Sequence, residues 1–254
     1  MALRYYRLRM ISYRDCAVVY VAWNQRAAEE SLVSARSVRR AMPDIAIYLK
    51  IGGSLASVMG KRWGVFNRVG YVRGMQQTFI DKYYFLSGVS EGKVLCLDSD
   101  TRVLSGLREA FDLLERFEVA CAHAPFRFSD DFGPNDPRLP AIPAAFPELN
   151  AGVIFCRNTA KVRRMLRTCR KMHAGWAYED EHTSDQPALR CALWKSRVSL
   201  YVLPPEYNAR LCFPAFLSGE AKILHCRLDN PRTAVRIINA SLEPRTFQPQ
   251  EFGE

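Results

Sequence analysis

Two carboxylates, Asp98 and Asp100, follow directly on an apolar run at 94–97 and are one residue apart. The run is continuously apolar rather than alternating, which is typical of a strand buried on both faces. In open α/β sheets, ligands bind beyond the carboxyl ends of such strands. Two carboxylates at i and i+2 can converge there on one hard divalent cation, which prefers oxygen ligands and often shares them with substrate phosphates. Asp and Ser also favour turns, so the pattern predicts either a metal site or an Asp-rich turn.

The strand that carries these carboxylates needs neighbours, and the N-terminal part of the sequence predicts a βαβ unit. Residues 16–22 are an apolar run rich in β-branched side chains, and residues 27–42 repeat apolar side chains at helical spacing. Pro43 stops the helix, and 45–49 is a second apolar run. This order predicts two parallel strands joined by a right-handed crossover. The first strand is not followed by the Gly-rich fingerprint of dinucleotide-binding folds.

The rest of the chain continues the alternation of strands and helices. Thr159 or Asn158 can cap one helix, and Ser184 or Asp185 can cap the next, where Pro187 is tolerated in the first turn. Strands alternating with helices predict an α/β fold with a mostly parallel central sheet flanked by helices. The predicted elements are a short strand within 65–72, a helix at 75–86, an amphipathic segment at 104–114, strands at 117–122 and 150–158, a basic helix at 159–173, a helix opening at 183–187, and strands at 198–203 and 221–226.

The length of 254 residues fits one large domain or two small ones. We predict a catalytic domain at 1–228 and a C-terminal tail at 229–254. Residues 124–149 carry six prolines and little apolar periodicity. So long a loop is uncommon inside a compact domain and is often functional. It is therefore a lid or acceptor-binding loop, or else a plain insertion.

The composition indicates which binding partners and which cellular compartment to expect. The formal net charge of +10 favours anionic partners such as nucleotides, nucleic acid or an anionic membrane surface. Much of the excess lies in helical segments, where a solvated basic face is the alternative. The eight cysteines form no C-x-x-C pair, and no apolar run approaches the roughly 20 residues that cross a membrane. A reduced, cytoplasmic setting is expected.

Five motifs follow one another along the chain: V-L-C-L-D-S-D-T-R-V-L, L-N-A-G-V-I-F-C-R, S-D-Q-P-A-L, V-L-P-P-E-Y-N and I-L-H-C. Taken together, they resemble those of the nucleotide-sugar glycosyltransferases of the GT-A type, most nearly the retaining, family 8-like group. The resemblance covers roughly residues 17–226. The sequence departs from the family pattern in two places. After His225, Cys226-Arg227-Leu228-Asp229 replaces the family's glycine–lysine–proline–tryptophan run. In the helix that begins with Asp185-Gln186, Pro187-Ala188 replaces a second aspartate.

The resemblance implies a metal centre formed by Asp98, Asp100 and His225. An imidazole beside oxygen ligands suits Mn²⁺ (or Mg²⁺) better than Ca²⁺. A divalent cation bridging two phosphates offsets the negative charge that develops on a departing nucleoside diphosphate. Asp98 could instead face the ribose, with Asp100 as the main ligand, and His225 could be an ordinary core histidine.

The resemblance also implies donor-binding residues at several strand ends. Trp23 could stack on the nucleotide base or simply pack, and a solvated charge is the alternative for Lys82 and Arg73. Gly152 can permit close backbone approach or be merely structural. The expected donor-binding residues are Ala22, Trp23 and Asn24 at the base, Asp98 and Ser99 in the DxD loop, Asn150, Ala151 and Gly152 under the donor sugar, and Lys82 or Arg73 at the diphosphate.

Asp185 and Gln186 are the expected catalytic residues. Asp185 would hydrogen-bond sugar hydroxyls, unless it only caps a helix. Gln186 matches the position that faces the anomeric carbon in retaining relatives, where it would stabilise an oxocarbenium-like state rather than act as a strong nucleophile.

We therefore predict a metal-dependent, retaining glycosyltransferase that moves a hexose from a UDP-sugar to an acceptor. The acceptor would be a glycan, a lipid-linked saccharide, a protein or modified DNA. A nucleotidyltransferase is the alternative enzyme, although residues 22–25 lack the Gly-rich, lysine-bearing loop of that class. The non-enzymatic alternative is a basic nucleic-acid-binding module, whose affinity would depend on helix residues such as Arg163 and Arg167 and on salt.

Overall fold

The computed structural model of the protein describes residues 12–52, 55, 63–75, 79–126, 140–177, 184–227 and 231–249. The helices are α1 Gln25–Ala41, α2 Arg108–Leu113, α3 Ala160–Ala177, α4 Gln186–Ser196 and α5 Pro231–Ile238, with 3-10 turns at Phe79–Tyr84 and Pro205–Asn208. The strands are β1 Cys16–Ala22, β2 Ala46–Gly52, β3 Arg68–Val72, β4 Lys93–Leu97, β5 Thr101–Val103, β6 Val119–His123, β7 Leu149–Arg157, β8 Leu200–Leu203, β9 Ala215–Leu217, β10 Ile223–His225 and β11 Arg245–Phe247.

A seven-stranded sheet in the order β3-β2-β1-β4-β7-β6-β8 forms the centre of the molecule. Four of its strand pairs are parallel, and only the two pairs that involve β7 are antiparallel. The mostly parallel α/β sheet predicted from the sequence is therefore confirmed. The reversed β7 matters for the site, because the start of β7 lies beside the end of β4. The amide of Asp98 donates to the carbonyl of Gly152 at 2.8 Å.

Helices cover both faces of the sheet. Val18 and Tyr20 of β1 pack under α1, whereas the alternate residues Ala17 and Val19 face α3 and α4. Burial on both faces explains why the central strands are continuously apolar in sequence.

Most predicted elements occur within a few residues of their expected bounds, and β1 spans the predicted residues. The helix predicted at 75–86 is wrong in type, because the described part is the 3-10 turn Phe79–Tyr84. Residues 76–78 lie outside the described chain. Gly88, with a φ of 65°, ends the segment in a conformation that favours glycine.

The predicted N-terminal caps of α3 and α4 have different outcomes. Thr159 Oγ1 accepts from the Val162 amide at 3.3 Å, so the predicted cap of α3 is confirmed. At α4, the contact comes from Ser184, whose Oγ accepts from the Gln186 amide at 3.4 Å. Asp185 occupies the N-cap position but makes no side-chain capping bond. Its carboxylate is thus available for another role.

Two small sheets extend the core at its C-terminal side. β5 pairs antiparallel with β10, and β9 pairs antiparallel with β11. The segment predicted as a tail at 229–254 includes α5 and β11, which pack on Leu217 and Leu224 in one apolar cluster.

The proline-rich loop at 124–149 is described at both ends, and residues 127–139 of the predicted lid lie outside the described chain. None of the described helices is long and apolar enough to cross a membrane.

Candidate active site and metal centre

Asp98, Asp100 and His225 converge at the carboxyl end of β4. The two aspartates flank the turn that leads from β4 to β5, and the β5–β10 ladder places His225 directly opposite Thr101. His225 Nε2 lies 3.6 Å from Asp98 Oδ2 and 3.5 Å from Asp100 Oδ1. The three ligand atoms lie within 4.8 Å of one another, a spacing that can hold a metal ion.

A chain of hydrogen bonds fixes which nitrogen of His225 carries a proton. The Gly152 amide, which can only donate, donates to Asn150 Oδ1 at 3.0 Å. Asn208 Nδ2 must then donate to the same Asn150 oxygen, at 2.8 Å. This orientation leaves Asn208 Oδ1 as the acceptor for His225 Nδ1, also at 2.8 Å. His225 therefore carries its proton on Nδ1.

In the neutral form of His225, the Nδ1 proton leaves the lone pair of Nε2 facing two carboxylate oxygens. Three electron-pair donors at such distances repel one another unless a proton or a metal cation lies between them. Two oxygen ligands and one imidazole nitrogen suit Mn²⁺, a hard divalent cation that prefers oxygen ligands and also accepts imidazole. A second partner that orients the ligating imidazole is the usual arrangement around metal-bound histidines. The residues present therefore fit the predicted metal.

Gly152 provides an independent sign that this space is kept open. A Cβ atom at Gly152 would overlap Cε1 of His225 and lie only 2.7 Å from Asp98 Oδ2. Glycine is required because the backbone of β7 passes directly against the ligand cluster. The close approach is to the side chains of His225 and Asp98, and the predicted role of Gly152 under the donor sugar stays a prediction.

Charges around the cluster keep Asp100 ionised. Burial works to raise the pKa of the Asp100 carboxyl, but the imidazolium form of His225, which donates to Asp100 through Nε2, and the charge of Arg227 outweigh burial and hold that pKa below its ordinary value. Asp100 is thus available as an anionic ligand at neutral pH.

Lys82 is a buried cation that joins the two halves of the site. Its Nζ lies 2.8 Å from Asp98 Oδ1 and 3.1 Å from Asp185 Oδ2, and it donates to the carbonyl of Ala151 at 3.3 Å. Burial works to lower the pKa of Lys82, but Asp185 and Asp98 raise it well above its ordinary value. The alternative of a solvated charge at Lys82 is wrong, because the residue is only 4% exposed.

Asp185 and Gln186 lie at the start of α4, across the cleft from the metal ligands. Lys82 and the Tyr83 hydroxyl both contact Oδ2 of Asp185. Gln186 Oε1 accepts from Asn150 Nδ2 at 3.0 Å. Since Asn150 is itself oriented by the Gly152 amide, the same hydrogen-bond chain reaches from His225 to Gln186.

These groups line one cleft of about 300 Å³. Ser99 also lines it and donates to Glu30 Oε2 at 2.8 Å. The predicted residues along its wall are Trp23, Asn24, Lys82, Asp98, Ser99, Asp100, Asn150, Ala151, Gly152, Asp185, Gln186 and His225.

Two predicted binding residues do not reach the cleft. Ala22 is fully buried beneath α1, and its neighbour Val21 lines the cleft instead. Strand alternation explains this, because successive side chains point to opposite faces. Arg73 is exposed and is not part of the cleft wall.

Three residues of the site were not predicted from the sequence. Asn208 orients His225, and Arg210 and Arg227 line the cleft beside the metal ligands. Arg210 Nε is buried without a hydrogen-bond partner among the described residues. The only sequence signal was position, because Asn208 ends the V-L-P-P-E-Y-N motif and Arg227 follows His225 by two residues.

Comparison with solved structures finds the same fold in glycosyltransferases. The galactosyltransferase LgtC, in complex with donor and acceptor sugar analogs, matches with a TM-score of 0.59 at 18% identity, over 85% of this chain and 88% of LgtC. An active-site mutant of LgtC matches with a TM-score of 0.59 at 17% identity, over 85% and 89%. GlyE from Streptococcus pneumoniae TIGR4 matches with a TM-score of 0.55 at 20% identity, over 85% of this chain and 55% of GlyE. The chain thus spans about half of GlyE, and no protein-family model and no curated sequence matches it.

The fold is therefore that of the GT-A glycosyltransferases, and the resemblance stated from the sequence is confirmed at the level of the fold. The structural neighbours are glycosyltransferases, and the cluster of Asp98, Asp100 and His225 lies in the cleft of this fold.

Proposed function

We propose that the protein is a metal-dependent glycosyltransferase that transfers a hexose from a UDP-sugar, with retention of configuration, to an acceptor that is a glycan, a lipid-linked saccharide, a protein or modified DNA. The observation that carries this proposal is the cluster of Asp98, Asp100 and His225, with His225 Nε2 facing both carboxylates and Gly152 leaving room beside it. The complex of LgtC with donor and acceptor sugar analogs supports a nucleotide-sugar donor.

Asp98, Asp100 and His225 would hold Mn²⁺ or Mg²⁺, and a cation there would offset charge on the diphosphate. Arg210 and Arg227 add fixed positive charge on the same wall. Arg227 is held by Glu30, with Nε 3.1 Å from Oε1. We propose that these arginines bind diphosphate oxygens, in place of the lysine that the family carries after its histidine.

The opposite wall would hold the donor sugar. Because Lys82 and Tyr83 both contact Oδ2 of Asp185, we propose that its other oxygen accepts hydrogen bonds from sugar hydroxyls. Asn150 holds the Oε1 atom of Gln186, which orients this amide in the cleft. A neutral amide is a weak nucleophile, so Gln186 would stabilise a developing oxocarbenium-like charge with its oxygen dipole. Trp23 at the mouth of the cleft is proposed to stack on the base.

The first test is calorimetric titration with UDP, GDP and ADP, with and without Mn²⁺. Wild type is compared with Asp100→Ala and with Asp44→Ala, which removes one exposed carboxylate far from the site in sequence. We expect UDP to bind only with Mn²⁺, and binding to vanish in Asp100→Ala but persist in Asp44→Ala. Equal binding of UDP in the presence of EDTA, or no nucleotide binding by folded protein, would refute the proposed metal-dependent function.

A further inference from the structure

A small basic cavity lies between α3 and the 3-10 turn Phe79–Tyr84, apart from the cleft described above. Its volume is about 190 Å³. This is below the ~300–1,000 Å³ of cavities that take whole ligands, so it suits a single small group. Its described lining residues are Ile80, Asp81, Tyr84, Arg167, Arg170, Lys171 and Ala174.

The helix that supplies the basic residues is unusual in charge. Residues 160–177 contain six Lys or Arg and no Asp or Glu. Two of these cations have structural partners: Lys161 pairs with Glu118, and Arg163 donates to the Leu86 carbonyl at 2.9 Å. Arg167 and Lys171 are exposed and form no ion pair within the described chain. They stand four residues apart on one helix face, where like charges destabilise a helix.

Arg170, which lies between Arg167 and Lys171 in sequence, is held in place by Tyr84 of the 3-10 turn. Its guanidinium stacks on the Tyr84 ring at 3.6 Å and donates a hydrogen bond to the Tyr84 hydroxyl. Its Nε atom is buried without a hydrogen-bond partner among the described residues. A buried donor without an acceptor is costly unless a ligand or water supplies one. Asp81 also lines the cavity, but it is fully buried in the wall.

We infer that this cavity is an anion site that takes one phosphate group, bound by Arg167, Arg170 and Lys171. The fixed guanidinium offers the planar donor geometry that matches phosphate oxygens, and the two flanking cations neutralise a dianion. The phosphate can belong to a soluble phosphate compound or to a lipid headgroup. The inference does not depend on the proposed transferase activity.

The position of the cavity gives the anion a route to influence the cleft. Tyr84 faces the cavity, whereas its neighbours Lys82 and Tyr83 contact Asp185 in the cleft. A bound anion that holds Arg170 and Tyr84 would therefore stiffen the turn that carries Lys82.

The test is calorimetric titration with inorganic phosphate in EDTA. Wild type is compared with Arg167→Ala/Lys171→Ala and with Arg36→Ala/Arg40→Ala, a control that removes two exposed cations at the same helical spacing from α1. We expect at least about a tenfold loss of affinity in the first variant, since it removes two charge-assisted contacts, and less than about a twofold change in the control. Tyr84→Phe, which keeps the ring but frees Arg170, should weaken binding several-fold. Equal losses in both double variants, or no binding by wild type, would overturn the assignment.

Co-sedimentation with vesicles distinguishes the two sources of phosphate. Vesicles of phosphatidylcholine alone are compared with vesicles that also contain phosphatidic acid. Recruitment that needs phosphatidic acid and is lost only in Arg167→Ala/Lys171→Ala supports the site with a lipid headgroup as its source. No recruitment, together with specific binding of free phosphate, supports the site with a soluble phosphate. Recruitment that is lost equally in Arg36→Ala/Arg40→Ala indicates diffuse surface charge and contradicts the proposal.

Discussion

The backbone amide of Gly152 decides the orientation of four side chains at the site. It fixes Asn150, and through Asn150 it orients Asn208, His225 and Gln186. Asn208 touches neither the cluster of carboxylates nor the proposed sugar position, so it is a positioning residue. Partners of this kind typically contribute 10–100-fold to metal affinity.

We therefore expect Asn208→Ala to weaken Mn²⁺ binding by about 10–100-fold, because His225 loses the acceptor for its Nδ1 proton. Asn208→Asp restores an acceptor for that proton, so it should recover most of the metal affinity. Calorimetry with Mn²⁺ measures both values without any substrate. If both variants bind Mn²⁺ like wild type, the hydrogen-bond chain does not orient His225.

Gly152→Ala tests whether the open space beside the ligands is needed. The new methyl group would lie 2.7 Å from Asp98 Oδ2 and overlap the His225 ring, so Mn²⁺ binding should be lost. Gly175→Ala is the control, because a Cβ atom at Gly175 of α3 meets nothing within 4 Å. That change should leave metal binding intact and raise stability by about 0.5–1 kcal/mol. Undiminished Mn²⁺ binding by Gly152→Ala would place the metal elsewhere.

Lys82 couples stability to pH through its two carboxylate partners. Lys82→Met leaves Asp98 and Asp185 without their shared cation, which should cost about 3 kcal/mol of unfolding free energy. The pKa of Lys82 is raised in the folded protein. Its charge therefore stabilises the fold fully below the unfolded-state pKa of about 10.4, and this contribution falls as pH rises further. Urea unfolding should show a constant difference between wild type and variant at pH 7–9 that shrinks above about pH 10.4. A difference that changes between pH 7 and 9 would contradict this account.

The residues of the candidate metal site were predictable, and their positioning partners were not. Asp98 and Asp100 are adjacent to a buried run, and His225 ends a short apolar run, so local sequence marks all three. Asn208, Arg210 and Arg227 have no local pattern of this kind. Their roles depend on the crossing of chain segments that are far apart in sequence, as in the 58-residue separation of Asn208 from Asn150.

At the scale of elements, periodicity predicted the long strands and helices but not the short connections. β1 and α1 bury regular patterns against the sheet, and such patterns can be read locally. The β5–β10 ladder pairs three residues on each strand across more than a hundred residues of sequence. Short non-local pairs of this kind carry no periodic signal, yet this ladder brings His225 to the aspartates.

Arg190 of α4 shows how an element holds the end of the proline-rich loop. It is 2% exposed and donates to the carbonyls of Phe146 at 2.6 Å and Pro143 at 3.3 Å. Arg190→Leu would leave the half-buried Phe146 carbonyl without that donor, which should cost about 1–3 kcal/mol. We expect a lower melting temperature and faster proteolytic cleavage within 140–148, whereas exposed Arg164→Ala should change neither. Wild-type cleavage rates in Arg190→Leu would show that other contacts hold the loop.

At the scale of the whole molecule, the net charge is +10, and the two most basic helices, α1 and α3, do not form one continuous basic surface. α1 and α3 cover opposite faces of the sheet. The nucleic-acid-binding alternative depends on Arg163, but this side chain donates hydrogen bonds to the backbone carbonyls of residues 86 and 89. The charge is therefore divided between separate sites, and a nucleic-acid partner stays a prediction from composition.

The last prediction concerns the C-terminal segment, which the sequence placed outside the catalytic domain. This segment packs on Leu217 and Leu224 through Ala234, Ile238 and Phe247. Leu224 directly precedes His225, the candidate metal ligand. Truncation after residue 228 should therefore lower both the melting temperature and the affinity for Mn²⁺. Phe247→Ala alone should cost about 3 kcal/mol, because a buried aromatic ring leaves a cavity.

Leu242→Ala is the matched control for this segment, since Leu242 is 59% exposed and its removal should change stability by less than about 0.5 kcal/mol. Thermal unfolding and Mn²⁺ calorimetry on the three variants decide the question. Because the apolar cluster around Leu217 and Leu224 borders β10, loss of its packing should displace His225 before the central sheet unfolds. A truncated protein with unchanged melting temperature and metal affinity would instead show that residues 1–228 form an independent catalytic domain.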